Sequence, residues 1–91
     1  MRTIYKYELK ALDDSNLAYV EMPCDAKLLS VQSQSDKTHV CALVNPQNQP
    51  VTRRLFIAGT GWKVPDERVT KYVGTFQQGP LVWHVFDLGE V

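Results

Sequence analysis

The last third of the chain constrains its fold most: Tyr72-Val73-Gly74-Thr75-Phe76 and Leu81-Val82-Trp83-His84-Val85-Phe86 flank Gln77-Gln78-Gly79-Pro80. Both runs are rich in β-branched and aromatic residues. Four intervening residues that include Gly and Pro suit a chain reversal, so the pattern predicts an antiparallel hairpin.

Upstream, the chain repeats this logic. Thr3, Tyr5, Tyr7 and Leu9 alternate with Ile4, Lys6 and Glu8, a period of two that predicts a first strand. Asp13-Asp14-Ser15-Asn16 breaks it, and residues 17–22 form a second strand that Pro23 stops by removing a ladder donor. Residues 27–33 read as a half-exposed third strand, and Gln34-Ser35-Asp36-Lys37 as a turn. Residues 38–44 are apolar on both faces after Thr38 and His39, as in an interior strand. After the loop Asn45 to Pro50, residues 51–58 give a fifth strand with Leu55 and Ile57 opposite Arg54, Phe56 and Ala58. Residues 62–69 read as irregular, with Pro65-Asp66-Glu67-Arg68 able to open one helical turn. The sum is an all-β fold of about seven short, mostly antiparallel strands in a small sandwich or partly open barrel.

At 91 residues and 44% apolar content the chain supports one core, so a single domain over residues 1–91 is expected. A domain this small buries roughly 60 to 65% of its unfolded surface, which makes self-association at sheet edges, and so a homo-oligomer, an open expectation. Ten basic and ten acidic residues cancel and are scattered, with Arg53-Arg54 the adjacent basic pair. That disfavours nucleic acid and gives little attraction to anionic membranes. No apolar segment follows Met1-Arg2-Thr3 as in a secretory signal, and the apolar runs fall short of the ~20 residues of a spanning helix. With Cys24 and Cys41 the two cysteines, a soluble, reduced, cytoplasmic protein is expected.

Gly59-Thr60-Gly61-Trp62 is the sharpest local feature: two glycines allow tight turning or close approach to a ligand, and Thr60 and Trp62 add a hydroxyl and a flat apolar surface. The alternative is a plain turn with Trp62 capping the core. The spacing is not that of a phosphate loop. Arg53 and Arg54 point to opposite faces of one strand, so one of them can pair across the sheet or hold an anion. Trp83 faces the core and His84 the other side with Val82 and Phe86, a face apolar enough to need a partner or an opposing layer. Arg54, Gly59, Thr60, Gly61, Trp62 and His84 are therefore the candidate ligand- or partner-binding residues. His39, Cys41, Cys24 and His84 lack the paired spacing of zinc ligands, so neither metal nor cofactor is expected. Asp13-Asp14 and Asp66-Glu67 read as solvated loop acids, and no nucleophile lies on a recognisable elbow, so no catalytic residue is assigned.

The start Met1-Arg2-Thr3-Ile4-Tyr5-Lys6-Tyr7, the segment from Met22-Pro23 to Ala26-Lys27-Leu28-Leu29-Ser30-Val31-Gln32, Ala42-Leu43-Val44 with Pro46, Gly59-Thr60-Gly61 and both strands of the closing hairpin resemble a family of small uncharacterised proteins of tailed bacteriophages and prophages. The likeness runs nearly end to end, while Cys24, Cys41 and Trp62 lie outside its recurring positions. It implies a phage or prophage setting in the host bacterial cytoplasm and transfers no cofactor or catalytic residue. The expected function in that setting is a non-enzymatic accessory protein that binds a host protein or small molecule. A structural or morphogenetic virion component is the second expectation, and a small hydrolase using His84 with a loop acid the third.

Overall fold

The computed structural model describes residues 1–10, 14–34 and 36–91. Asp13, read above as part of a strand break, and Ser35, read as part of a turn, lie outside the described residues. Seven strands form: β1 (Thr3–Leu9), β2 (Leu17–Pro23), β3 (Lys27–Gln34), β4 (Lys37–Val44), β5 (Pro50–Gly59), β6 (Tyr72–Gln78) and β7 (Leu81–Glu90). All pairings are antiparallel, in a three-stranded sheet ordered β1-β4-β3 and a four-stranded sheet ordered β2-β5-β7-β6. The sheets stack as a sandwich and do not close into a barrel, and the expected all-β class holds.

The turns follow local chemistry. Asn16, Asp25 and Asp36 each take a left-handed backbone with φ near 61–64°, which short polar side chains tolerate best among non-glycine residues. The closing hairpin is tighter than expected, because Gln78 pairs with Leu81 and leaves Gly79-Pro80 as a two-residue loop. Gly79, at φ 59°, supplies the positive first corner that such loops need. Strand β7 also runs past Phe86 to Glu90, bulging between its pairings to Arg54 and Leu55.

The core lies between the sheets. Strand β4 contributes Val40, Ala42 and Val44, β5 contributes Leu55 and Ile57, and β2 and β7 add Met22 and Val85. Alternation accounts for the choice: these residues share the inward parity of their strands. The outer face of β5 is buried too, where Leu17, Phe56 and Ala58 form a second cluster with Val64, Val69, Phe86 and Leu88. Residues 62–71 thus supply the layer that the apolar face around Phe86 required. That segment holds one 3₁₀ turn, Asp66–Arg68, and the Arg68 guanidinium lies 5.4 Å from the centre of the Phe56 ring. Among the described residues no helix is long and apolar enough to cross a membrane.

Candidate functional site

Gly59-Thr60-Gly61-Trp62 forms a β-turn in which the Trp62 amide donates to the Gly59 carbonyl at 3.1 Å. Gly61, at φ 88°, takes the third position, where a left-handed backbone is required. The turn doubles back so that Trp62 covers Gly59: a Cβ at Gly59 would meet the indole ring at 2.8 Å. Trp62 then stacks edge to face on Trp83, with ring centres 5.3 Å apart and planes at 88°. Trp62 therefore caps one end of the core, yet 46% of it stays exposed.

The hairpin tip of β6 and β7 lies beside this turn, and the Thr60 amide donates to the Val82 carbonyl at 3.2 Å. Between turn and tip runs a mostly apolar cleft of about 450 Å³, lined by Trp62, Pro80, Leu81 and Val82 with Thr60 at its edge. Leu81, in that lining, is 53% exposed.

A polar ladder leads away from Thr60 across the outer face of the four-stranded sheet. The Thr60 hydroxyl lies 2.7 Å from His84 Nε2, and His84 Nδ1 lies 3.2 Å from the Thr75 hydroxyl, which in turn bonds to the Tyr72 hydroxyl. Thr60 Oγ1 also reaches the Val82 carbonyl, an acceptor, at 3.4 Å. One direction satisfies every group when His84 is neutral: Tyr72 donates to Thr75, Thr75 to Nδ1, Nε2–H to Thr60, and Thr60 to Val82. The ladder fixes the imidazole between two hydroxyls. A catalytic imidazole is usually oriented by a carboxylate that stabilises its charged form, and a threonine in that place offers no such charge.

Of the residues singled out in the sequence, Gly59, Thr60 and Trp62 line the cleft, Gly61 turns the loop that carries them, and His84 lies outside the lining and joins through Thr60. Arg54 does not. It lies on the same outer face but pairs with Gly89, whereas His84 pairs with Ala58, about 13 Å further along the strand. Its Nε atom is buried without a hydrogen-bond partner among the described residues. Tyr72, Thr75 and Leu81 were not singled out. Thr75 follows from register, since a two-residue loop sets it directly opposite His84, whereas Tyr72 joins it on that face only through the bulge between Tyr72 and Gly74, which sets Tyr72 opposite Phe86.

Arg53, on the inner face, makes the cross-strand pair. Its side chain is 7% exposed and bonds Asp87 at 2.7 Å and the Ala26 carbonyl, with Glu90 at 3.6 Å. Glu90 in turn accepts the Asp25 amide at 2.6 Å.

His39 and Cys41 lie on the outer face of one sheet and His84 on that of the other, so the structure does not gather the zinc-type residues of the sequence. Among the described residues, Cys24, Asp25 and Glu90 bring ligand atoms within 4.8 Å of one another. Each is already engaged: the Cys24 thiol donates to Asp25 Oδ2 at 3.4 Å, and Glu90 accepts the Asp25 amide. The thiol hydrogen bond, then burial and the nearby carboxylate charges, raises the Cys24 pKa. A raised thiol pKa means less thiolate at a given pH, so Cys24 is expected to be alkylated by iodoacetamide more slowly than an unstructured cysteine at about pH 8. Asp25→Asn should speed the reaction. Equal rates in the folded protein and an unfolded control, followed by mass spectrometry, would contradict this account.

The fold and the cleft define a small two-sheet antiparallel β-sandwich with an apolar groove at one end. The chain belongs to the family described as a domain of unknown function (DUF7352), whose model matches residues 1–90. Neither a curated protein nor a solved structure matches it.

Proposed function

We propose that this chain is a phage- or prophage-encoded, non-enzymatic binding domain that takes an apolar segment of a host protein into the cleft between Trp62 and Leu81. The observation that carries the reading is the exposure of these two large apolar side chains in the lining of one open groove. A tryptophan held over Gly59 is a preorganised anchor of the kind that dominates protein interfaces. An open groove suits a polypeptide better than an enclosed small molecule, which is usually buried on most of its surface. Thr60, at the rim and held in place by His84 behind it, adds a polar group beside a bound peptide. The two hydroxyl partners of His84 support binding over hydrolysis.

Quantitative affinity capture from bacterial lysate tests this with three baits: the unaltered protein, the double variant Trp62→Ala/Leu81→Ser, and Leu29→Ser, which alters an exposed leucine on β3 of the other sheet. The expected result is a protein held by the first and third baits and lost at least ~30-fold from the second, the effect of removing about 2 kcal/mol at a hot spot. Captured proteins that are indifferent to the cleft substitutions would refute the reading.

A further inference from the structure

The sandwich has four edge strands, and three of them carry a device against pairing with another chain. Strand β2 ends in Pro23. Strands β3 and β6 each carry a bulge, at Leu28/Ser30 and Tyr72/Gly74, and they meet along one seam. There a Cβ on Gly74 would lie 3.2 Å from the Val31 amide nitrogen, and the Ser33 hydroxyl donates to the Gln77 carbonyl at 3.4 Å. Bulges, prolines and covering elements are the usual protections of a sheet edge.

Among the described residues, strand β1 has none of these. Its register against β4 runs unbroken from Thr3↔Val44 to Leu9↔Thr38, and it contains no proline. It is exposed along most of its length, with Ile4 60% and Tyr5 43% open to solvent. An edge of seven residues with unbroken register presents a row of backbone groups able to continue the ladder, and its charges at Lys6 and Glu8 guard it only against edges that do not complement them.

The sequence of that edge is complementary to itself. We infer that β1 pairs antiparallel with β1 of a second copy of this chain, centred on Tyr7, joining the two three-stranded sheets into one of six strands. Residues directly opposite in such a pairing must share a face, which restricts the register to even sums of residue numbers. Centring on Tyr7 sets Lys6 against Glu8 of the partner subunit, and Glu8 against Lys6 of the partner subunit. Ile4 then lies opposite Lys10 of the partner subunit, whose aliphatic stem can cover it. On the inner face Tyr5 meets Leu9 of the partner subunit, which covers the exposed ring. Moving the centre to Lys6 opposes the two Lys6 residues, and moving it to Glu8 opposes the two Glu8 residues, so neighbouring registers are electrostatically disfavoured. Centring on Tyr5 keeps an Arg2–Glu8 pair but sets Lys6 against Ile4.

Charge reversal at exposed positions 6 and 8 separates these cases. Oligomeric state is measured by sedimentation equilibrium from about 1 to 200 μM, with circular dichroism checking each fold. The expected result is a dimer for the unaltered protein, dissociation at least tenfold stronger for Lys6→Glu and for Glu8→Lys alone, and recovery in the double variant Lys6→Glu/Glu8→Lys. A monomer at all concentrations would overturn the inference, as would a dimer unaffected by either reversal. Loss in Glu8→Lys that the double variant does not repair would overturn the register centred on Tyr7.

Discussion

Arg53→Ala is expected to lower the unfolding free energy by about 3 kcal/mol, measured by urea titration with an unchanged denaturant dependence. Arg53 is 6% exposed and lies at the meeting of three pieces of chain. Its guanidinium bonds Asp87 of β7 and the carbonyl of Ala26 beyond the β2–β3 turn, and approaches Glu90. Truncation leaves the Asp87 carboxylate with 13% exposure and no cation, and leaves the Ala26 carbonyl unmet. Removing one partner of a buried pair costs about 3–5 kcal/mol. The lower end applies because Asp87 keeps the Gly89 amide at 2.8 Å, and an adjoining polar cleft of about 490 Å³ can admit water to the carboxylate. Against a total stability of roughly 5–14 kcal/mol for a domain of this length, the loss is severe. Pairing Arg53→Met with Asp87→Asn should recover much of it, since neither buried charge then remains. A loss under about 1 kcal/mol for Arg53→Ala would mean that the pair contributes little.

The strand pattern was legible wherever alternation met a turn signal. Asn16, Asp25 and Asp36 carry the left-handed corners, and the spans on either side alternate with period two. The continuation of β7 beyond Phe86 was not legible, because Asp87 and Gly89 taken alone read as turn residues. Their place in the strand depends on Arg53, 34 residues earlier, which neutralises Asp87. The site divides the same way. Gly59, Thr60, Gly61 and Trp62 follow one another in sequence, so their turn could be read directly. The contact of Thr60 with His84 needs β5 beside β7, a non-local pairing that local pattern does not specify. Thr75 was within reach: a four-residue loop sets it against Val82, whereas Gly79-Pro80 alone sets it against His84. Arg53 and Arg54 were separable by face but not by role, since what distinguishes them is Asp87 on the inner side.

Phe56→Ala should cost about 3.5–4 kcal/mol and should also release residues 62–71 from the sheet. Phe56 is buried on the outer face of β5, within a cluster formed largely by Leu17, Phe86 and Leu88 on the sheet and by Val64 and Val69 of that segment. Truncating a buried phenylalanine costs about 3–5 kcal/mol through lost transfer energy and the cavity left behind. This site is covered by an irregular segment that can settle into the space, which favours the lower figure, while loss of the Arg68 contact over the ring adds about 0.5–1 kcal/mol. The local consequence is more diagnostic. The Arg68 and Val69 amides donate to the carbonyls of Pro65 and Asp66 at 3.0 and 3.3 Å, and Phe56 is the surface on which that turn rests. In Phe56→Ala these two amides are expected to exchange with solvent faster than the loss of global stability accounts for, whereas Leu55→Ala, one residue away on the inner face, should accelerate all core amides together. If exchange at Arg68 and Val69 instead follows global unfolding in both variants, the segment is held by its own turn, and the outer cluster is not the device that lets one small chain bury both faces of β5.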